Sequence, residues 1–420
     1  MICSKRLEEN FAHLAAIGAQ AGGGITRLAF SDADWQARDY VIGLMQEAGL
    51  TVRTDAFGNV IGRQEGLCPD AAVVMLGSHI DTVPDGGNYD GVAGVLTAIE
   101  VVRCLKNARV QTHHPLEIVV FMAEESSRFG VATLGSKAFC GKLSLEQLEQ
   151  CKDKQGVTLA ETMRQRGLEP EKIASVQYRD RIKCFLELHI EQGKVLETMG
   201  NQIGIVTGIA APSRFQVVVS GQADHSGATP MSLRQDALTA AAEIILKVEQ
   251  LAAVEGHNGT VGTTGVIKAE PGVMNVIPGR VELGIDIRGI SQTSKEQVIA
   301  ALMTTIDEIQ GRRGVGVAIV TLADEKPVAI SREMVEFLHD IAKRQKLTSM
   351  KMPSGAGHDA MHLAAIAPTG MIFIPCKDGI SHNPAERASI EDIAAGARLL
   401  LEAVTRLVSN NSVSIDDDSV

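Results

Sequence analysis

Histidines and carboxylates follow short apolar runs at four places in this chain, and these residue types suit metal chemistry. The residues concerned are His79, Asp90, Glu124, Glu125, His189 and His382. Imidazole and carboxylate groups are common protein ligands of Zn²⁺, and they also suit Mn²⁺ or Co²⁺. A single residue of this kind after a strand has no special meaning, but four such strand ends indicate a common site. We therefore predict a metal centre.

The adjacent glutamates Glu124 and Glu125 and the carboxylate of Asp90 allow more specific expectations. Two metal ions about 3.5–4 Å apart need a shared ligand, and a carboxylate can bridge them whereas an imidazole cannot. Asp90 or a glutamate would therefore be the bridge. Two neighbouring glutamates in a dry site repel each other unless a metal or a proton neutralises one, so we expect one ligand and one general base. Asp81, two residues after His79, is expected to orient the His79 ring.

Apolar runs and helical periodicity alternate along both ends of the chain, which is typical of a mostly parallel α/β sheet. The predicted strands are 51–61 (two strands around a turn), 73–76, 116–123, 182–188 and 370–374. The predicted helices are 4–19, 32–48, 94–104, 143–166, 333–346 and 390–408. In open α/β sheets ligands bind at the carboxyl ends of the strands, so the metal-type residues are expected to meet there.

The order of elements changes between residues 212 and 327. Strands are predicted at 214–220, 260–268, 280–288 and 315–322, and helices at 233–254 and 295–312. The order β-α-β-β-α-β is typical of a ferredoxin-like unit. We predict a catalytic domain of residues 1–211 and 328–420 with residues 212–327 inserted as a second domain. The final stretch, 409–420, is predicted to be disordered.

Composition limits the class of protein. The 420 residues are 45% hydrophobic and 22% charged, which is ordinary for a globular protein. The formal net charge of −11 argues against a nucleic-acid partner, which needs a basic surface. Seven cysteines without a C-x-x-C pair predict free thiols in a reducing compartment. The polar N-terminus is unlike a signal peptide, and no apolar run approaches the roughly 20 residues of a membrane span. We expect a cytoplasmic protein without a membrane partner.

The segment His358-Asp-Ala-Met-His362 imitates a zinc motif. Its histidine spacing is that of the zinc helix H-E-x-x-H, but Asp359 stands where that motif has its glutamate base. The preceding S-G-A-G predicts a tight turn that leads into a helix N-terminus. Backbone N–H groups at such a position attract anions, so Gly357 and His358 are predicted to contact substrate rather than metal.

Several segments, taken together and in order, resemble one family. They are G-S-H-I-D-T-V (77–83), G-G-N-Y-D-G (86–91), A-E-E-S-S-R-F (123–129), E-L-H-I-E-Q-G (187–193) and G-I-S-H-N-P-A-E (379–386), with H-S-G-A-T-P-M (225–231) and N-V-I-P-G-R (275–280) in the inserted domain. They resemble the M20-type metallopeptidase-like amidase, hydantoinase and carbamoylase family. Its members include N-carbamoyl-L-amino acid hydrolases, beta-ureidopropionases, allantoate amidohydrolases and ureidoglycolate amidohydrolases. The likeness covers nearly the whole chain.

The resemblance implies two divalent metal ions per subunit, as Zn²⁺ or as Mn²⁺, Co²⁺ or Ni²⁺. The implied ligands are His79, Asp90 and His189 for one ion and Asp90, Glu125 and His382 for the other. Asp90 would then be the bridge. Glu124 would be the general base, which settles the two roles that the residue types alone leave open.

The resemblance also implies how the substrate is held. Gln192 would lie in the substrate pocket, and Asn275 would contact substrate from the inserted domain. Arg288 would clamp the substrate carboxylate, for which a bidentate guanidinium is well suited. His225 would stabilise an oxyanion across a homodimer interface formed by the inserted domains. Closure of the inserted domain over the substrate is expected, with hinges near residues 211–212 and 326–327.

The implied reaction is hydrolysis of the terminal ureido C–N bond of an N-carbamoyl-L-amino acid, or of a related ureido acid, with release of ammonia. The chain mixes features of several branches. G-G-N-Y-D-G resembles allantoate amidohydrolases, M-I-F-I-P-C resembles ureidoglycolate amidohydrolases, and A-T-P-M-S-L-R resembles L-carbamoylases. Allantoate and ureidoglycolate therefore remain alternative substrates. Two further functions stay open, an aminopeptidase or dipeptidase of the same fold and an inactive binding protein.

Overall fold

The computed structural model describes residues 1–409. The stretch 410–420, which belongs to the segment predicted to be disordered, lies outside the described residues. The chain divides into two compact units. The first comprises Met1–Thr207, Ile330–Met352 and the described residues from Gly357 onward, and the second comprises Gly208–Ala329 and Pro353–Ala356. The second unit is thus almost entirely one insertion into the first.

The strands of the described chain are β1 (Thr51–Thr54), β2 (Val60–Gln64), β3 (Val73–His79), β4 (Leu116–Phe121), β5 (Ile182–Ile190), β6 (Ile203–Ile209), β7 (Ala211–Ser220), β8 (Asp224–His225), β9 (Val261–Glu270), β10 (Val276–Ile277), β11 (Arg280–Gly289), β12 (Gly316–Asp324), β13 (Val328–Ala329), β14 (Ser349–Ser354) and β15 (Thr369–Ile374). The helices are α1 (Ser4–Ala16), α2 (Asp32–Ala48), α3 (Val92–Asn107), α4 (Leu134–Phe139), α5 (Leu145–Gln150), α6 (Leu159–Gln165), α7 (Val195–Met199), α8 (Ala237–Glu255), α9 (Gln292–Arg313), α10 (Arg332–Arg344), α11 (Ala360–Leu363) and α12 (Ile390–Leu407).

The first unit is built on a largely parallel sheet, which confirms the predicted α/β class. Its strand order is β1-β2-β4-β3-β5-β15-β6. The four central strands, β4, β3, β5 and β15, pair in parallel, whereas the outer pairs are antiparallel. Every residue of β3, β4 and β15 is buried. Such continuous apolar runs are typical of parallel strands that are covered on both faces, and this is why they were recognisable in the sequence.

The second unit is a four-stranded antiparallel sheet with two long helices. The strand order is β12-β7-β11-β9, and α8 and α9 pack on one face. The main elements follow the chain as β7-α8-β9-β11-α9-β12, which is the predicted ferredoxin-like order. Alternate residues of β7 and β11 are buried against the helices, so period-two alternation marks these strands.

Local signals explain both the correct and the incorrect helix predictions. Helix α2 begins after Ser31, whose hydroxyl accepts the Asp34 N–H, and ends at Gly49 in the left-handed region. The single helix predicted over 143–166 is wrong. Two helices, α5 and α6, occupy this range, because Ser144 and Thr158 each begin a separate capping box.

All seven cysteines are free thiols. None of the helices in the described residues is long and apolar enough to cross a membrane.

Candidate metal centre

The carboxyl ends of the four parallel strands bring the predicted ligands together. His79 is the last residue of β3, and His189 is near the end of β5. Glu124 and Glu125 follow β4 after two residues, and His382 lies in the loop after β15. Because these strands are neighbours in the order β4-β3-β5-β15, their ends lie side by side. The convergence expected from the sequence is therefore present.

A first group of possible ligands consists of His79, Asp90 and His189. The Nε2 atoms of His189 and His79 lie 3.0 Å and 3.5 Å from Oδ1 of Asp90. One ligand atom from each residue lies within 4.8 Å of the others, and all three residues are buried. Nδ1 of His79 lies 3.1 Å from the backbone oxygen of Asp81, and Nδ1 of His189 lies 2.9 Å from that of Ile190. A proton on each Nδ1 satisfies these contacts and places the lone pair that can bind metal on each Nε2. At His189 this nitrogen accepts the Gly91 N–H at 3.2 Å.

A second group consists of Asp90, Glu125 and His382. Nε2 of His382 lies 3.0 Å from Oδ2 of Asp90 and 3.2 Å from Oε1 of Glu125. Asp90 thus presents one oxygen to each group, as a bridging carboxylate must. Ring nitrogens and carboxylate oxygens at these distances need either a proton or a metal ion between them. Histidine and carboxylate ligands in two groups that share Asp90 fit a pair of divalent metal ions.

The charges at the centre shift its pKa values strongly. Burial would raise the pKa of Asp90, but His189 and the other two histidines outweigh burial and hold it well below its usual range. Hydrogen bonds to Asp90 and Glu125 raise the pKa of His382 to about 11. Burial, together with the charge of Glu125, raises the pKa of Glu124 well above its usual range, although His79 opposes this. A buried carboxyl group with a raised pKa is suited to proton transfer.

Asp81 has a broader role in the structure than the one predicted for it. Its carboxylate accepts hydrogen bonds from the backbone N–H of Glu124 at 3.2 Å and of Glu125 at 3.0 Å. The His79 ring faces mainly the backbone oxygen of Asp81, because the Asp81 carboxylate is 3.6 Å from Nδ1. Asp81 thus holds the two glutamates as well as His79.

Gln192, predicted to contact substrate, donates from Nε2 to Oδ2 of Asp90 at 2.7 Å. It has a φ of 57°, and Ala123 and His382 also have positive φ. Such strained backbone is common at functional sites. Sequence reasoning missed Ser381, whose hydroxyl lies 3.1 Å from the same Asp90 oxygen. The only signal for it was its place next to His382.

The H-D-A-M-H segment packs against the centre but does not form a zinc helix. The buried His358 ring packs edge-to-face on His189, with ring centroids 4.5 Å apart. His362 instead contacts the hydroxyl of Thr133, at 2.8 Å. Helix α11 has only four residues, and Oε2 of Glu187 already accepts the Ala360 N–H at 3.0 Å. The substrate contacts predicted for Gly357 and His358 stay a prediction.

Glu187, His189 and His358 form a third group of possible ligand atoms. Both oxygens of Glu187 already accept hydrogen bonds, from the Ser78 hydroxyl at 2.8 Å and from the Ala360 N–H at 3.0 Å. His189 is shared with the first group, to which we assign it, and we assign no separate metal to this third group.

His225 and Asn275 lie together in the second unit. The short strands β8 and β10 pair His225 with Val276, and the Ser226 N–H donates to the backbone oxygen of Asn275 at 3.1 Å. Nδ1 of His225 accepts the N–H groups of Gly227 and Ala228, at 3.0 Å and 3.1 Å. The ring proton of neutral His225 must then be on Nε2. The exposed ring can therefore donate a hydrogen bond to an oxyanion.

Arg288 lies on β11 in the same unit and already binds a carboxylate. Its Nε and Nη2 donate to the two oxygens of Asp286 at 2.8 Å and 3.0 Å. Nε of Arg214 donates to Oδ2 of Asp286 at 2.9 Å. These residues border a cavity of about 540 Å³ on the sheet. The Nε and Nη2 edge of Arg288 is thus occupied by Asp286, which fixes the guanidinium and leaves Nη1 and the second N–H of Nη2 for a substrate carboxylate.

The sequence model of Peptidase family M20/M25/M40 matches residues 75–406, a range that contains every one of these ligands. The chain belongs to this family. It is 43% identical over 408 residues, 97% of this chain and 99% of the relative, to an N-carbamoyl-L-amino acid amidohydrolase of Geobacillus stearothermophilus. It is 39% identical over 409 residues, 96% of this chain and 84% of the relative, to a ureidoglycolate hydrolase of Oryza sativa subsp. japonica.

A solved structure is similar to this chain over nearly its whole length. It is the amidase of the hydantoinase/carbamoylase family from Burkholderia multivorans, with a TM-score of 0.90 and 37% identity over 97% of this chain and 98% of that one. The predicted family and hydrolase class are thus confirmed. Enzymes of the M20 family depend on metal, and this chain has matching groups of ligand atoms.

Proposed function

We propose that this M20 enzyme is an N-carbamoyl-L-amino acid amidohydrolase, which hydrolyses the terminal ureido C–N bond and releases ammonia. It would use two divalent metal ions per subunit, Zn²⁺ or Mn²⁺, Co²⁺ or Ni²⁺. The observation that carries the proposal is the division of the two Asp90 oxygens between two ligand groups, with Glu124 beside them. The name of the 43% identical relative supports the substrate class.

The metal ions, when bound, would lower the pKa of a water molecule and polarise the ureido carbonyl. Glu124 takes a proton from the attacking water and delivers it to the leaving nitrogen. Its position supports this role, because the carboxylate is buried and 3.7 Å from Nε2 of His79. Glu125 has a different environment, since its Oε1 faces His382 at 3.2 Å and is suited to hold metal.

Both units would supply the remaining contacts. Arg288 of the inserted unit binds the substrate carboxylate, and Asn275 of the same unit is a further contact. Gln192 and the turn at Gly357 contact substrate from the first unit. His225 donates its Nε2–H to the oxyanion from the other subunit of a homodimer formed through the inserted units, which also act as lids. The proton position on His225 supports such donation. Free thiols support a cytoplasmic location.

Ureidoglycolate is the second candidate substrate, because a relative named for it is 39% identical over 96% of this chain. Allantoate is also retained, on the resemblance carried by the G-G-N-Y-D-G segment. An inactive binding protein is disfavoured, because such a protein needs no buried base like Glu124.

An ammonia-release screen of the metal-loaded protein tests the proposal. It should compare N-carbamoyl-L-amino acids, 3-ureidopropionate, allantoate, ureidoglycolate and dipeptides. We expect fastest turnover on N-carbamoyl-L-amino acids, loss of turnover on chelation, and recovery with Mn²⁺, Co²⁺, Ni²⁺ or Zn²⁺. Faster turnover of another ureido acid would replace the substrate assignment. Cleavage of dipeptides alone, or full activity after chelation, would overturn the proposal.

A further inference from the structure

Glu386 connects the two loops that carry Asp90 and His382. Its Oε1 accepts the backbone N–H of Tyr89 at 2.8 Å and of Asp90 at 3.1 Å. Its Oε2 accepts the hydroxyl of Ser381 at 2.8 Å and the backbone N–H of His382 at 3.3 Å. Glu386 and Tyr89 are 297 residues apart in the chain. One buried carboxylate therefore holds together two segments that nothing in the local sequence connects.

We propose that Glu386 is a positioning residue for the metal centre, and that it sets the distance between the Asp90 bridge and His382. The inference rests on the proposed metal centre but not on the identity of the substrate. Glu386 is fully buried, so its hydrogen bonds have no water to replace them. The hydroxyl of Ser381 lies 2.8 Å from Oε2 of Glu386 and 3.1 Å from Oδ2 of Asp90, so its single proton can be donated to either carboxylate, and the shorter distance favours Glu386.

The close approach of the Asp90 loop to Glu386 requires glycine at position 87. A Cβ on Gly87 would lie 2.2 Å from Cδ and Oε1 of Glu386. This distance is far inside van der Waals contact, so either the loop or the carboxylate would have to move. Gly87 therefore offers a way to displace Glu386 without changing its chemistry.

The two ligand groups depend on Glu386 to different extents. His79 and His189 lie on strands, where pairing with Phe121 and Phe373 fixes their backbone. His382 lies in a loop with positive φ and has no strand to hold it. Loss of the Glu386 contacts should therefore disturb the group that contains His382 far more than the group that contains His79 and His189.

Calorimetric titration of the metal-free protein with Zn²⁺ or Mn²⁺ tests this inference. In Glu386→Gln one oxygen becomes an amide nitrogen, which cannot accept hydrogen bonds. We expect affinity to fall by about 10- to 100-fold at the site that contains His382, with a smaller fall at the other site, which shares Asp90. The visible spectrum of the Co²⁺-loaded protein should change more for the ion at the His382 site. Gly87→Ala should have the same effect. The controls are Glu391→Gln, at an exposed glutamate, and Gly43→Ala, where a Cβ meets nothing within 4 Å.

Unchanged affinity at both sites in Glu386→Gln and Gly87→Ala would overturn the inference. So would equal weakening of both sites, or a lower melting temperature of the metal-free protein with normal affinities, since these indicate a general structural role. If Glu386→Gln does not fold, Gly87→Ala decides the question alone. A wild-type protein that binds two metal ions at the expected sites but hydrolyses no ureido acid would refute the proposed substrate and leave this inference standing.

Discussion

Replacing Glu124 by glutamine tests the roles assigned to the two adjacent glutamates. The Glu124 carboxylate is buried near His79, but it belongs to none of the three groups of possible ligand atoms found among residues 1–409. Its backbone is held independently of the side chain. The Glu124 N–H donates to Asp81 at 3.2 Å, and its carbonyl accepts the Thr133 N–H at 2.6 Å. Glutamine has nearly the same shape, so these contacts should persist.

The expected loss follows from removing a base without removing metal. General acid–base catalysis contributes about 10²- to 10⁴-fold, which corresponds to about 3–5 kcal/mol at 1.36 kcal/mol per tenfold. The kcat should fall by that factor, while KM and metal content should remain those of the wild type. Burial, Glu125 and Asp359 raise the pKa of Glu124 against the opposing His79. A neutral amide suits this environment, so the melting temperature of the metal-free protein should not fall.

The assay combines ammonia-release kinetics with elemental analysis of bound metal. Glu125→Gln is the matched control at the neighbouring position, and it should lose metal because Glu125 faces His382. Loss of metal from Glu124→Gln would show that Glu124 is a ligand. Turnover within about tenfold of the wild type would be below the range for a general base and would refute the assignment.

Three further predictions concern the surroundings of the centre. Arg288→Ala should raise KM for carboxylate substrates about 10- to 100-fold, because a hydrogen bond to a charged group contributes about 1.5–3 kcal/mol. Arg280→Ala, on the same strand, should not, and equal KM values for the two variants would remove Arg288 from the pocket. Asp81→Asn should weaken metal binding in calorimetry without abolishing it. The variant loses one of the two carboxylate oxygens that accept the backbone N–H groups of Glu124 and Glu125. Unchanged metal affinity would contradict this role of Asp81. Metal affinity should rise between about pH 6 and about pH 8. Hydrogen bonds to Asp90 and Glu125 raise the pKa of His382 to about 11. Below that pH the metal must displace the His382 proton, and this becomes easier as the pH rises. A pH-independent affinity would show that no proton is displaced.

Much of the fold could be predicted because its signals are local. Continuous apolar runs predicted the parallel strands, and the order of strands and helices predicted the inserted unit. The sequence did not predict β6, whose two glycines weaken the strand pattern. A single helix was predicted where α5 and α6 lie, because the capping signal at Thr158 falls inside a stretch with helical periodicity.

The candidate site was likewise predicted only in part from the sequence. Residue types and strand patterns were enough to predict that histidines and carboxylates meet at one edge of a parallel sheet. The partner that each carboxylate oxygen and ring nitrogen contacts is known only from the folded chain. Asp81 holds two glutamate amides, Asp90 faces two groups, and Glu386 connects loops almost 300 residues apart. These contacts depend on loop paths and on distances of about 3 Å, which strand periodicity does not encode.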